Sequence, residues 1–541
     1  MNTIIKEKIL SIAPEVTIEE TAVLTAVVPS EKLRDVALGL RNDLQFDYLQ
    51  DLIGMDWGDS LGVIYRLFST PNNQAAVVLK TSTLDRENPI LHTVSDIWAS
   101  ANLYEREVYD FFGIRFLDHP DMRRLFLRAD WNGFPLRKDY DNSINALTLK
   151  SQSVRDMESA HTLSLTCKGL QDSPLQVFGE KEYVVNMGPQ HPATHGVLHL
   201  RVSLDGETVK KIDPNFGYIH RGVEKMCETY TYPQILHLTD RLDYLSGTMN
   251  RHAFCLCVEK AIELEVPEKA HYVRTILDEL TRIASHLLGW GCMCMDMGSI
   301  TAFVYGMRDR EKIMDIFEET GGGRLMCNYG VIGGVATDVH PNFIKRVKEF
   351  IPYMRKMLKE YHVLFTNNPI ARGRMKDVGF LSKEQAITYG VTGPSGRASG
   401  WSNDLRKIEP YAAYDKIKFN EMLRTEGGTF ERYIIRLDEI EESLRMLEQL
   451  VDGMPEGDFR AKTKAIIKLP EGDFYQRVEN ARGDFGVYIS STGDKNPYRV
   501  KFRSPCMTLV SALDPITRGE KIADLVMIGA SLDYVIPCID R

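Results

Sequence analysis

From His286 to Met307 the chain reads HLLGWGCMCMDMGSITAFVYGM, with no charged side chain except Asp296. A run of this length is enough to cross a bilayer, which needs about twenty apolar residues. It also contains four glycines and a central carboxylate, and an acid at mid-depth in lipid is costly. The preceding stretch, Glu268–Arg282, has the charges of an ordinary amphipathic helix. The expectation is therefore one helix over Glu268–Met307 at the heart of a bundle, with Asp296 mid-helix. A carboxylate buried there must find a partner or keep its proton.

At 541 residues, with 43% hydrophobic and 26% charged residues, the chain can bury large cores without disulfides. A net charge of −9 and the absence of a basic stripe disfavour nucleic-acid binding. No basic-then-apolar leader opens the chain, so export is not expected. Nine scattered cysteines fit reduced thiols in a cytoplasmic compartment.

The overall expectation is α+β, in two blocks. Residues 1–141 mix short strands (Ala22–Val28, Val63–Phe68, Ala75–Lys80) with helices (Ser30–Leu44, His92–Phe112), a compact α+β domain. Residues 142–180 are rich in Ser, Thr, Asn and Gln and read as a linker. From 181 to 541 strands give way to helices, over Arg221–Leu238, Leu242–Leu264, Glu268–Met307, Pro341–Thr366 and Thr429–Val451, with strands returning after Phe474. This block reads as a mainly helical bundle with peripheral strands.

Several chemistries find no support. Cys255/Cys257 and Cys292/Cys294 are spaced i, i+2 on expected helices, so each pair projects about 200° apart and cannot close on one metal. No C-x-x-C occurs, and a cluster held by this chain alone would need about four convergent thiolates. Gly321-Gly-Gly323 lacks the strand–turn–helix setting and the Lys-Ser/Thr of a phosphate cradle. No metal, nucleotide or flavin bound by this chain alone is expected.

The candidate chemistry lies elsewhere. Between Met187 and Gly196 two imidazoles, His191 and His195, sit in a turn stiffened by two prolines. Histidine is the side chain that titrates nearest neutral pH, so such a loop could hand a proton to a ligand, or could be a surface turn. Asp240-Arg-Leu-Asp-Tyr244 precedes a helix, and the Tyr244 phenol is a neutral hydrogen-bond donor. Arg221 follows His220 at another helix start.

Two sets of motifs then carry a resemblance over nearly the whole chain. Glu105-Arg-Glu107, Asp110, Gly113-Ile114, His119-Pro-Asp121, Arg123-Arg124 and Phe134-Pro-Leu-Arg-Lys-Asp-Tyr140 resemble the C-type subunit of NADH–quinone oxidoreductase, respiratory complex I. Gly188-Pro-Gln-His-Pro-Ala-Thr-His-Gly196, His220-Arg-Gly222, Asp240-Arg-Leu-Asp-Tyr244 and Ile539-Asp-Arg541 resemble its D-type subunit, in the same order. The chain thus looks like a fused C/D subunit: a C-like docking domain, a linker and a D-like domain similar to the [NiFe] hydrogenase large subunit. In that comparison Leu245, Thr248, Val535 and Cys538 stand where four nickel-binding cysteines would be. The resemblance therefore implies a quinone pocket in place of the metal.

Carried over residue by residue, the resemblance implies that His195 and Tyr244 hydrogen-bond the quinone head group and that Asp296 pairs with the histidine. It implies that Arg221 lies beside a terminal [4Fe–4S] cluster held by a B-type iron–sulfur partner subunit. It also implies other peripheral-arm subunits and the membrane arm as partners, with the chain peripheral on the cytoplasmic side of the inner membrane. Arg251, where an acid is common, and Cys538 depart from the family pattern. Two other readings stay open: the same quinone site in a relative fed by ferredoxin or another donor, and a non-catalytic scaffold.

Overall fold

The computed structural model describes the chain except residues 1, 20, 22, 73–74, 142, 144–160, 167–168, 175–176, 180–181 and 191–195. It divides into two units. The smaller comprises Met1–Glu182, joined by Asn215–His220 and Ile387–Gly390; the larger comprises Tyr183–Pro214, Arg221–Ala386 and Val391–Arg541.

In the smaller unit, strands β1 (Thr17–Glu19), β2 (Thr25–Val27), β3 (Tyr48–Asp56), β4 (Leu61–Ser69) and β5 (Ala75–Thr83) form one sheet in the order β1-β2-β5-β4-β3. The β2–β5 pair is parallel and the others antiparallel. Helices α1 (Asn2–Ile12), α2 (Leu33–Asp43) and α3 (Ala101–Phe112) complete it. The expected helix over His92–Phe112 is shorter at its start: Ile90–His92 is a strand paired with Arg115–Leu117, and turns lead into α3 at Ala101. Much of the 142–180 stretch lies outside the described residues, but His161–Thr166 and Gly169–Pro174 pair as an antiparallel hairpin.

The motif residues of this unit hold its C-terminal loop against α3. Asp110 Oδ2 accepts the backbone N–H groups of Leu125, Phe126 and Leu127 at 2.7–3.0 Å, while Arg124 donates to Oδ1 at 3.0 Å. One carboxylate thereby orders a loop that would otherwise bury unpaired amides. Gly113 ends α3 at φ +73, and a Cβ there would lie 2.5 Å from Phe134. Phe134 in turn sits under the guanidinium groups of Arg124 and Arg137, at 5.1 and 4.8 Å.

The larger unit is built on long helices: α6 (Gly247–Ala261), α7 (Glu268–Asp296), α8 (Ile300–Gly321), α9 (Phe343–Tyr361) and the helix Thr429–Gly453. Preceding them are the short helices α4 (Val223–Cys227) and α5 (Tyr232–Thr239). The expected helix Arg221–Leu238 is thus two pieces, because Thr231 starts α5 anew with a capping box to Gln234. A three-stranded sheet (Tyr183–Met187, His199–Asp205, Thr208–Asn215) and an antiparallel meander (Gly472–Asn480, Gly483–Ser491, Arg499–Arg503) flank the bundle.

The apolar run does lie in the bundle. Leu287, Trp290 and Met293 are buried, with Trp290 stacked 4.2 Å from Tyr361 and donating to the Tyr433 hydroxyl at 3.0 Å. It is not one helix. The chain turns at Met297-Gly298-Ser299, with Gly298 at φ +90, so α7 ends at Asp296 and α8 begins at Ile300. Asp296 therefore stands half-buried at a helix end rather than fully buried mid-helix. Among the described residues no helix is long and apolar enough to cross a membrane.

Candidate functional site

Asp240–Ser246 is a chain of turns between α5 and α6, and its shape is set by Asp243. The Asp243 carboxylate accepts the Leu245 N–H at 3.1 Å, and its backbone carbonyl accepts from Ser246 at 3.0 Å. Its other oxygen meets Arg482 Nη1 at 3.0 Å, with both side chains fully buried. Arg482 comes from the two-residue tip of the hairpin in which Asn480 pairs with Gly483. Hairpin tips usually face water; this one is driven into the bundle.

Arg482 has the partners to justify its burial. Beyond Asp243 it donates to Ser246 Oγ at 3.2 Å, Ser285 Oγ at 2.9 Å, the Asp533 carbonyl at 2.9 Å and Asp533 Oδ1 at 3.4 Å. Burial alone would disfavour its charge, but Asp243 and Asp533 outweigh that and hold the guanidinium protonated, its pKa raised. Asp533 is left-handed at φ +60, where it ends the helix Ile522–Leu532. An Asp can adopt that conformation at modest cost, and here it turns the carboxylate toward Arg482. Gly393, at φ +67, lets the hairpin approach: a Cβ there would lie 2.5 Å from the Arg482 carbonyl oxygen.

Tyr244 follows Asp243 directly and is 38% exposed. Burial raises its pKa, and Asp243, Cys292 and Asp533 push the same way against Arg482. The phenol thus keeps its proton at neutral pH and acts as a donor. Tyr244 lines a cleft among α6, α7, α8 and the 324–330 loop.

On the cleft wall, Arg251 Nη1 meets Asp240 Oδ2 at 3.0 Å and also donates to the Leu236 carbonyl and to Asn328. Arg251, the departure noted in the sequence, is thus built into the wall by a buried ion pair. Burial nonetheless wins at Asp240, whose carboxyl is pushed up to about 6 despite Arg251. His252 Nδ1 meets Asp278 at 2.6 Å.

The structure brings several of the sequence candidates together. Arg221 donates to the Arg241 carbonyl at 2.7 Å, which ties it to the Asp240–Tyr244 turn. Asp540 acts on Arg221 electrostatically, and Arg541 meets Glu224 at 2.8 Å. Three motifs spread over some 320 residues of sequence therefore converge. Asp296 lies close enough to Tyr534 to help raise its pKa, although burial is the larger cause. Tyr534 is the chain neighbour of Asp533, which also acts electrostatically on Tyr244. His191 and His195 lie outside the described residues. Gly196, next in the chain, packs against this same C-terminal segment, a Cβ there lying 2.9 Å from Ile536.

Sequence reasoning did not single out Arg482 or Asp243 as partners. Nothing in local spacing links a hairpin tip to a turn 239 residues earlier. The available signal was a lone arginine in Asn480-Ala-Arg-Gly483, between two strands of strongly buried residues.

At three of the four positions compared with nickel ligands, Thr248 donates to Thr281 at 2.8 Å, and the Val535 N–H donates to Cys506 Sγ at 3.3 Å. Cys538 Sγ accepts from Ser504 at 2.9 Å. Among the described residues no three His, Cys, Asp or Glu side chains converge to hold a metal ion.

Comparison with known proteins places the chain. Residues 26–145 match the family model of the respiratory-chain NADH dehydrogenase 30 Kd subunit, and residues 296–469 and 459–541 match that of the 49 Kd subunit. The NADH-quinone oxidoreductase C/D subunit of Phocaeicola vulgatus is 56% identical over 519 residues, covering 95% of this chain and 99% of that protein. The C/D subunit of Bacteroides thetaiotaomicron is 55% identical over 95% of this chain and 99% of its own. The separate D-type subunit of Desulforamulus reducens is 46% identical over 360 residues, covering 66% of this chain and 98% of that protein. The chain belongs to the fused C/D subunits of NADH-quinone oxidoreductase, as a peripheral-arm subunit of respiratory complex I.

Proposed function

We propose that the larger unit forms, with an iron–sulfur partner subunit, the site at which quinone is reduced. The observation that carries this reading is Tyr244: a protonated phenol, on a turn held by the Asp243–Arg482–Asp533 network, lining a largely apolar cleft.

Reduction of a quinone to a quinol takes two electrons and two protons. The electrons would come singly from a [4Fe–4S] cluster on the partner, and this chain's residues would handle the protons. Tyr244 donates to one quinone carbonyl and His195 to the other, polarising both toward the negative charge that reduction places there. The Arg482 charge next to Tyr244 stabilises the phenolate left when the proton moves. Asp296 pairs with the His195 imidazolium. Loss of that charge pair on reduction rearranges the 188–196 loop and signals to the membrane arm. Arg221, partly exposed and fixed by the Arg241 carbonyl, presents a positive charge that raises the potential of the partner's cluster. The site works at the inner membrane, on the cytoplasmic side.

Photolabelling of the assembled complex with an azido-quinone tests this reading. Label on peptides carrying Tyr244 or on the 188–196 loop supports it. Label confined to other subunits contradicts it and favours a scaffold role.

A further inference from the structure

His252, on α6, is buried and lines the cleft. Its Nδ1 meets the Asp278 carboxylate at 2.6 Å, while Nε2 is buried without a partner. A carboxylate on one ring nitrogen fixes the orientation of an imidazole and stabilises its protonated form. The dyad thus has one nitrogen committed and one spare. Tyr244, in the same cleft, gives a proton away in the proposed reduction and must be given another before the next turnover. Arg482 beside it is held protonated and does not supply one.

Farther along α6 lies a second pocket, of about 540 Å³. Its rim is exposed at Lys260, Glu265 and Pro410, and its wall includes His271 and Tyr411. A space of that size facing solvent holds several waters. The partition between pocket and cleft is thin. Tyr411 lines the pocket and packs edge-on against the His252 ring, their centroids 5.7 Å apart. Arg274 lines the cleft and Glu259 the pocket, and the two are paired at 2.6 and 3.0 Å. His271 Nδ1 has no partner, and burial, then Arg274 and His252, hold this imidazole neutral. A neutral imidazole accepts a proton at one nitrogen and releases one at the other.

We propose that His252 returns protons from this water-facing pocket to the quinone cleft. His271 and the pocket waters pass a proton to His252, and the imidazolium gives its Nε2 proton to the Tyr244 phenolate. One N–H bond breaks, the phenol O–H bond forms again, and no electron moves. The solvent replaces the proton at the pocket. This inference rests on the quinone reading of the cleft.

The test is quinone-reductase turnover of the purified complex, with assembly checked on a native gel and azido-quinone labelling run alongside. Glutamine carries no titrating proton, so His252→Gln should lower kcat on the order of a hundredfold, with KM for quinone and the label unchanged. His252→Ala should fall as far and recover about tenfold with added imidazole, which a merely structural loss would not do. His271→Phe, at the pocket wall, should lower kcat on the order of tenfold at unchanged KM, and it decides the matter if neither His252 variant assembles. Normal kcat in His252→Gln or His271→Phe, or no recovery with imidazole, in a labelled complex overturns the proposal. Absence of label from the cleft of the unsubstituted complex overturns the quinone reading and this inference with it, so the two failures are distinct.

Discussion

The guanidinium of Arg482 meets the carboxylate of Asp243 at 3.0 Å, although 239 residues separate them in sequence. Both are fully buried, and Asp533 completes the network from the far end of the chain. This contact fixes the turn that presents Tyr244. Arg482→Met would leave the Asp243 carboxylate buried without its counter-ion, and Asp533 with only Arg436, 3.7 Å away. It should lower the stability of the larger unit by about 3–5 kcal/mol, measured as a fall in the thermal unfolding midpoint of the full chain.

Gly393 tests the same network without touching a charge. Gly393→Ala would force a left-handed backbone to carry a Cβ against the Arg482 carbonyl. A loss of about 1–3 kcal/mol is expected from the backbone strain, read in the same melts.

Asp240 gives the larger unit a pH dependence. Its carboxyl is raised to about 6 by burial, against the opposing pull of Arg251. The folded state thus holds this proton to higher pH than the unfolded chain does. Its contribution is greatest below the unfolded value near 4 and is lost as pH rises through about 6. The full swing is about 3 kcal/mol at most. Asp240→Asn should flatten the unfolding midpoint across pH 4–7, whereas an unchanged slope would assign the effect elsewhere.

His119 acts with the opposite sign in the smaller unit. Its Nε2–H donates to the Asn102 carbonyl at 3.2 Å, and Nδ1 accepts the Asp121 N–H at 3.0 Å. Protonation would set two donors against each other. Burial, aided by Arg106, pushes the imidazole down to about 4. Stability from this group is present above the unfolded value near 6.5 and is lost as pH falls toward 4. Limited proteolysis within residues 26–145 should accelerate between pH 6.5 and 4, and His119→Gln should blunt the change.

The broad architecture was legible in the sequence because it rests on patterns that repeat. The long helices have apolar residues every three or four positions, and α9 and Thr429–Gly453 fall close to their expected bounds. Where that pattern was silent, the reading failed. The apolar run hid the break at Gly298, because a left-handed glycine leaves no trace in apolar periodicity. Strand β3 went unseen because all nine of its residues are buried, Gln50 and Asp51 included, so it shows no in–out alternation. At the site, Tyr244 and Arg221 could be named from motifs. Their supports, Asp243, Arg482 and Asp533, are long-range pairings that no local spacing encodes.

Quinone-reductase turnover of the complex carrying Tyr244→Phe tests the central claim most directly, with assembly checked on a native gel. The substitution removes one hydroxyl and leaves the ring, the turn and the Arg482 network in place. The account predicts a fall in turnover on the order of a hundredfold in a fully assembled complex. Near-normal turnover in that complex would contradict it.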